Sequence, residues 1–296
     1  MSKTQYTYAV ARIRALEVSL FSASTIEQLI ACKDVESCLR FLQDKGWGGT
    51  DVPMDADAIL TREREKIWET MEEMHVDMDV FNVLSYSNWF HNLKAAVKEV
   101  CTGKSGANIF YEGTPIPKEE MLRIIKEKDY KALPENMQTA AEEAVEVLLH
   151  SGDGQLCDII IDRATMEAIK EAGRASKDDI IRDYAESTVA VANIKIAVRA
   201  SKTAKSLEFM QRAMAPCDSL NVDGLARAAL AGMDSIIEYL NGNGYAAGAE
   251  ALKESPSAFE RWCDNRIIQT IKPQKTNPFS VGPLVAYVIA RENEIK

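Results

Sequence analysis

Apolar residues recur along most of this chain at helical spacing, with polar residues between them. In the stretch QLCDIIIDRATMEAIKEAG, for example, Leu156, Ile159, Ile160, Met166 and Ile169 share one helical face. We find no convincing strand–turn–strand pattern. Helices are predicted over 5–22, 24–31, 34–44, 57–75, 78–101, 117–128, 135–149, 154–172, 176–206, 222–240, 244–253, 256–270 and 281–296. The chain is therefore predicted to be all-α.

Residues with capping chemistry precede several of these predicted helices. Asp34 comes before VESCLRFL, and Ser255-Pro256 leads into SAFERW. Thr25 precedes IEQL and is predicted to cap that helix. Pro283 suits a first helical turn, because its missing N–H would be unsatisfied there in any residue. These residues indicate where four of the helices begin.

A short helical segment is repeated along the chain. FHNLKAAVK at 90–98 aligns with VANIKIAVR at 191–199, which places Asn92 over Asn193 and Lys94 over Lys195, 101 residues apart. A second step of the same length reaches Lys296, so the terminal ENEIK is predicted to open a third copy. The N-terminal VARIRALE is a weaker match. A turn with an aromatic residue follows each copy, at Trp47, Tyr130 and Tyr245.

Three related helical units imply a pseudo-threefold organisation. The first predicted domain joins residues 1–80 to 281–296, so that the N- and C-terminal helices lie together. The second covers 81–175 and the third covers 176–280.

Composition narrows the classes of function. Of the 296 residues 46% are hydrophobic, so a large core can be buried. The net charge of −10 argues against general nucleic-acid binding, because phosphate binding needs a positive field. No apolar run approaches the length of a membrane span or a signal peptide. The six scattered cysteines are expected to be reduced thiols.

Candidate catalytic and metal-binding motifs are weak. His75, Asp77 and Asp79 alternate, and on a helix such residues do not converge on one ion. SGDGQ is glycine-rich but follows a predicted helix and lacks the spacing of a phosphate-binding loop. The three histidines have no nucleophile-and-base motif around them. We therefore predict no catalytic, cofactor-binding or metal-binding residue and no small-molecule substrate.

The repeated basic pair is the one distinctive pattern of candidate functional residues. Two interpretations remain open for it: ion pairing with the chain's many carboxylates, or an interface that lines a central cavity. The candidate interface residues are Arg12, Arg14, Lys94, Lys98, Lys195, Arg199 and Lys296.

Several of these segments resemble one known family. YAVARIRALE, IEQLIACKDVESCLRFLQDKGWG, the paired NLKxxxK and NIKxxxR segments, and the terminal GPLVAYVIARENEIK are similar to the C subunit of V-type and A-type ATPases, equivalent to the d subunit of eukaryotic V-ATPases. The resemblance runs from about residue 5 to 296 and is most specific at both ends. In that family the last helix continues beyond ENEIK.

The resemblance implies an all-helical protein of three related domains around a pseudo-threefold axis, forming a funnel. It implies a non-catalytic rotor subunit that transmits torque for H+ or Na+ transport, coupled to ATP hydrolysis or synthesis. The implied partners are the D and F subunits of the central stalk and the proteolipid ring in the membrane. The implied location is peripheral, on the cytoplasmic face of the membrane. Two alternatives are an all-α adaptor that binds partner helices and an all-α enzyme with an interior pocket.

Overall fold

The fold is all-α, as predicted. A computed structural model describes residues 6–106 and 109–296, and no strand occurs among them. The α-helices, numbered α1 to α15 in chain order, are Thr7–Leu16, Ala23–Ile30, Val35–Asp44, Ala56–Glu73, Asn82–Thr102, Lys118–Glu127, Glu135–Ser151, Gly154–Ala175, Asp179–Lys202, Leu207–Ala213, Val222–Ala231, Met233–Gly242, Ala246–Glu254, Pro256–Gln269 and Gly282–Ile295. Short 3-10 helices cover Glu17–Ser19, Met78–Phe81, Tyr130–Ala132 and Lys272–Gln274.

The chain divides into two compact units. Unit 1 consists of Met1–Asp79 and Ile271–Lys296, and unit 2 is Val80–Thr270. In unit 1 the C-terminal helix α15 packs against both α1 and α4. Residues from the two ends of the chain therefore share one compact unit.

Unit 2 contains two hydrophobic clusters. The first is built by α5 to α8 around residues such as Phe90, Leu93 and Ile161. The second is built by α9 to α14 around residues such as Ile194, Leu240 and Phe259. In both clusters the apolar positions of the repeated segment, at Leu93 and Ile194, are fully buried. The pseudo-threefold arrangement of the three predicted domains stays a prediction.

Helices α8 and α9 approach each other closely near Gly173. A Cβ atom built at Gly173 would lie 2.4 Å from the Cβ of Ala185, which no real contact allows. The two small residues therefore let the helix backbones meet. This contact joins the helices that carry the two hydrophobic clusters.

The local sequence determines most helix starts. Asp34 accepts a hydrogen bond from the Ser37 N–H at 2.8 Å, and Ser255 accepts one from the Ala258 N–H at 3.0 Å, as their capping chemistry predicted. Pro256 and Pro283 lie in the first turns of α14 and α15. The prediction for Thr25 was wrong: Ser22 caps α2, and Thr25 provides the N–H that it accepts.

Several predicted helices are divided or end elsewhere in the structure; the one predicted over 78–101, for example, is a 3-10 helix at Met78–Phe81 followed by α5. The helix predicted over 176–206 ends at Lys202, and a separate α10 begins at Leu207 behind the capping residue Ser206. Ala204, with φ at +50°, turns the chain between them. The helix predicted over 5–22 is α1 followed by a 3-10 turn, and its residue 5 lies outside the described residues.

The helix predicted over 222–240 is two helices, because Gly232 interrupts it. Gly232 has φ at +121° and ψ at −179°, a backbone conformation that is essentially restricted to glycine. It both ends α11 and starts α12. Helical periodicity continues across this residue, and so the sequence pattern did not reveal the break.

Replacing Gly232 with alanine is expected to destabilise unit 2 by about 1–3 kcal/mol, because a Cβ is strained at this φ even though open space surrounds it. The urea midpoint measures the loss. Gly242→Ala is the control, since Gly242 lies inside α12 without a positive φ and its Cβ would also meet open space. Equal midpoints for both variants would contradict the assignment of strain to Gly232.

Candidate functional site

The repeated asparagines make the same contact in both copies. The Asn92 amide donates to the Tyr111 carbonyl and accepts the Tyr111 N–H, both at 2.8 Å. The Asn193 amide donates to the Ala215 carbonyl at 2.7 Å and accepts the Ala215 N–H at 3.0 Å. Each amide thus satisfies both backbone groups of one downstream loop residue, which lies directly after α5 for Asn92 and after α10 for Asn193. We call this contact the asparagine clamp.

The third copy uses a carboxylate at the same position. Glu294 stands where a further step of 101 residues places the asparagine, and it accepts the backbone N–H of Phe21. An ionised carboxylate accepts hydrogen bonds but cannot donate them. Glu294 accepts a second hydrogen bond, from the Arg291 guanidinium. Unit 1 therefore has the N–H half of the contact, between α15 and the segment after α1.

Turns of one kind end three helices that lie downstream of α1, α5 and α9, namely α3, α6 and α12. In each, an N–H bonds to the carbonyl five residues earlier at 3.0 Å, after a residue with positive φ: Trp47 to Leu42, Asp129 to Ile124 and Tyr245 to Leu240. This is the Schellman arrangement of helix ends. Trp47 and Tyr245 occupy the same position, as predicted, whereas Tyr130 lies one residue further along.

Five of the seven candidate basic residues are ion-paired within their own unit. In unit 2, Lys94 pairs with Asp162, Lys98 lies 2.6 Å from Asp158, and Lys195 lies 2.6 Å from Glu260. In unit 1 the partners are Glu73 for Arg12 and Glu17, at 2.6 Å, for Arg14. The ion-pairing interpretation therefore describes these five residues. Their role as an interface stays a prediction.

Lys94 and Lys195 are equivalent in partner as well as in sequence. Each pairs with a carboxylate on the helix that closes its hydrophobic cluster, α8 for Lys94 and α14 for Lys195. Burial by itself would lower the pKa of Lys195, but the hydrogen bond with Glu260 and the charge of Asp264 raise this pKa above its ordinary value. Lys195 therefore stays protonated at neutral pH.

The remaining two candidates are exposed. Arg199 lies in the last turn of α9 and lines an open cavity with Lys195 and Lys202. Lys296 follows α15 at the end of the chain. The structure thus does not bring the seven predicted residues together into one cluster within either unit.

A buried ionic cluster in unit 1 was missed by the sequence analysis. The Arg291 guanidinium pairs with Glu63 and Glu294, and its carbon lies 5.0 Å from the centroid of the Trp47 ring. Glu63 also accepts the Gly48 N–H at 2.8 Å. Arg291 and Glu63 are both buried. The available signal was an arginine within the otherwise apolar run GPLVAYVIAR.

The cysteine thiols are poor candidates for nucleophiles. All six cysteines are free. Burial raises the pKa of Cys157 to about 11 and that of Cys263 to about 12, so both thiols are protonated at neutral pH. Only the thiolate is a strong nucleophile or metal ligand. Within residues 6–106 and 109–296, moreover, no group of three or more His, Cys, Asp or Glu side chains could hold a metal ion.

No helix in the described part of the chain is both long enough and apolar enough to span a membrane.

Fold and contacts together define the class: an all-helical protein built around a repeated, clamped helix. The family described as ATP synthase (C/AC39) subunit matches residues 9–296, which is nearly the whole chain. The chain belongs to this family. Its helical fold agrees with what the sequence resemblance implied.

Curated relatives are C subunits of the same kind of complex. The chain is 23% identical to the C subunit of the V-type sodium ATPase of Enterococcus hirae, over 96% of this chain and 89% of the relative. It is 22% identical to the C subunit of the A-type ATP synthase of Methanocaldococcus jannaschii, over 98% of this chain and 80% of the relative. A third relative, the C subunit of the A-type ATP synthase of Thermococcus gammatolerans, is 24% identical over 99% of this chain and 84% of its own length.

Removing the asparagine clamp is expected to destabilise the second cluster. Asn193→Ala leaves the buried N–H and carbonyl of Ala215 without partners, at a cost of about 2–3 kcal/mol in the free energy of unfolding. Asn92→Ala should act in the same direction on the first cluster. Urea unfolding measures both, with exposed Asn265→Ala as the control. A loss for Asn193→Ala no larger than for Asn265→Ala would refute the clamp.

Breaking the buried ion pair of unit 1 is expected to be costly. Arg291→Met removes the guanidinium from the buried carboxylates of Glu63 and Glu294, which costs about 3–5 kcal/mol. Glu63→Leu combined with Arg291→Met should recover part of this loss, because the buried charge of Glu63 is then removed as well. Thermal unfolding of the single and double variants measures the coupling. Arg123→Met is the control: its partners Glu120 and Glu127 are exposed, and we expect no measurable change.

Proposed function

We propose that this chain is a non-catalytic rotor subunit of a V/A-type ATPase. It links the central stalk to the proteolipid ring in the membrane and transmits torque while ion transport is coupled to ATP hydrolysis or synthesis. The observation that carries this proposal is the family match over residues 9–296, together with relatives named as C subunits of V-type and A-type complexes. The expected partners are the D and F stalk subunits and the ring. The expected position is peripheral, on the cytoplasmic face.

Close helix packing supports a torque-transmitting role. Interiors packed at crystal-like density deform little under load. Within unit 2 the Gly173–Ala185 contact holds α8 against α9 without an intervening side chain. Within unit 1 the Arg291–Glu63 pair joins α15 to α4 at a buried position. Each unit therefore has a close contact between two helices that a shearing force would have to disrupt.

The proposed domain organisation follows the repeated contacts. We assign residues 81–175 and 176–280 to one bundle each, and 1–80 with 281–296 to a third. The separate hydrophobic clusters of α5 to α8 and of α9 to α14 support the first two. The contact of Glu294 with Phe21 supports the third, because it joins the two ends of the chain as the asparagine clamps join helix and loop in the others.

Partner contacts are proposed for charged and apolar side chains alike. The candidate basic residues are mostly held in place by ion pairs, which keeps their charge at a defined position for a partner to recognise. In unit 1, Val18, Ile30 and Val35 are each at least 70% exposed, and α2 has no buried residue. A partner that covered these side chains would remove their apolar surface from water, which favours binding.

A retention experiment tests the proposal. The tagged chain is offered separately to the detergent-solubilised proteolipid ring and to the purified D–F stalk, at low and moderate salt, and retained proteins are identified by mass spectrometry. We expect both to be retained. Retention should fall as salt rises, because ions screen contacts between exposed charges.

The candidate basic residues are tested by the same experiment. Combining Lys98→Gln with Lys296→Gln should lower retention of at least one partner a few-fold at moderate salt. Arg123→Gln, on the exposed face of α6 and outside the candidate set, is the matched control. If the folded chain retains neither ring nor stalk, the rotor proposal is wrong, and the adaptor alternative takes its place.

A further inference from the structure

The two copies of the basic pair differ in how their second cation is neutralised. In the first copy, Lys98 lies 2.6 Å from Asp158, four residues before the Asp162 that pairs with Lys94. In the second copy, Lys195 pairs with Glu260, but the residue four positions earlier is Pro256. A proline therefore stands where the first copy has the second carboxylate.

Arg199 is left without an acidic partner by this difference. It forms no ion pair within the part of the chain that the structure describes, and its neighbour Lys202 forms none either. Pro256 opens α14, whose N-terminus carries a partial positive charge, and the last turn of α9, which holds Arg199 and Lys202, carries a partial negative one. In a protein with a net charge of −10, this end of the second cluster is locally cationic.

A cavity of about 240 Å³ opens where the missing ion pair would lie. Its walls include the apolar side chains of Val198, Met233, Leu252 and Phe259. Lys195, Arg199 and Lys202 stand around it, and Glu260, already paired with Lys195, is the acid that lines it. The cavity thus combines an apolar interior with two cations, Arg199 and Lys202, that form no ion pair within the described residues.

We propose that this cavity is a docking pocket for an acidic peptide segment of a partner protein. One apolar side chain of the segment enters between α9 and α14, and a flanking carboxylate pairs with Arg199 and Lys202. The segment supplies the acid that Asp158 supplies internally in the first copy. The inference goes beyond the proposed function, because the pocket is defined by its own chemistry whichever complex the chain joins.

The volume favours a side chain over a small-molecule ligand. Clefts that enclose whole small ligands usually measure about 300–1,000 Å³. A smaller apolar pocket with a charged rim matches the anchor site of a protein interface, where one aromatic or aliphatic side chain is buried and polar contacts surround it. Arg199 suits this rim, since its planar guanidinium can bind a carboxylate through two hydrogen bonds.

Binding of a defined peptide to the full chain tests the proposal. The probe is a fluorescein-labelled peptide with one central phenylalanine flanked by glutamates, and the control peptide has lysines in place of the glutamates. Fluorescence anisotropy measures both. We expect saturable binding of the acidic peptide only, weakened at least about tenfold by Arg199→Glu. Lys126→Glu, at an exposed position of α6 outside the candidate set, should leave the affinity unchanged.

A second variant tests the pocket by neutralising the cations at its rim. Pro256→Asp returns a carboxylate to the position that corresponds to Asp158, and acidic residues are favourable in the first turn of a helix. It should abolish peptide binding while the circular dichroism spectrum stays helical. Should Arg199→Glu fail to fold, Arg199→Gln replaces it, with weaker binding expected again.

Three results would overturn the proposal. The first is no saturable binding of the acidic peptide to the wild-type chain. The second is equal affinity for the wild-type chain, Arg199→Glu and Pro256→Asp. The third is saturable binding of laurate that Pro256→Asp abolishes while the peptide does not bind, which would make the occupant an anionic lipid chain.

Discussion

A buried amide that must bond both backbone groups of one loop residue underlies the architecture of this protein. Asn92 and Asn193 lie inside helices, where a polar side chain is costly unless it is fully paired. Each is paired by a loop residue some twenty positions later, Tyr111 or Ala215. The clamp therefore holds a loop residue further along the chain against the helix that carries the asparagine. The lysine two positions after each asparagine pairs with the helix that closes the cluster.

The third copy makes only half of this contact and adds charges to it. Glu294 accepts the Phe21 N–H and also accepts a hydrogen bond from the Arg291 guanidinium. The same guanidinium pairs with Glu63 of α4, which Lys66 also neutralises. The exchange of asparagine for glutamate thus accompanies a buried ionic cluster, with Trp47 covering the guanidinium. The same position of the repeat thus binds a backbone N–H through a neutral amide in two copies and through a carboxylate in the third.

The two copies also differ in which basic side chains are ion-paired within the chain and which are not. Lys98 and Arg199 occupy the same helical position, but only Lys98 faces an acid on the closing helix. The replacement of that acid by Pro256 leaves a cation and an apolar cavity side by side. The two repeated units therefore differ in which of their cations are already ion-paired.

The sequence by itself determined the helical class and the caps at Asp34 and Ser255, because these depend on neighbours a few residues apart. It also determined the 101-residue repeat, because that follows from comparing one segment of the chain with another. It also singled out Lys94 and Lys195 as equivalent. Only the tertiary structure decided which residues form the ion pairs. Asp162, the partner of Lys94, is 68 residues away, and Glu63, the partner of Arg291, is 228 residues away. Helical periodicity does not encode which helices meet. The break at Gly232 escaped for a related reason, since a single φ angle leaves no trace in the spacing of apolar residues.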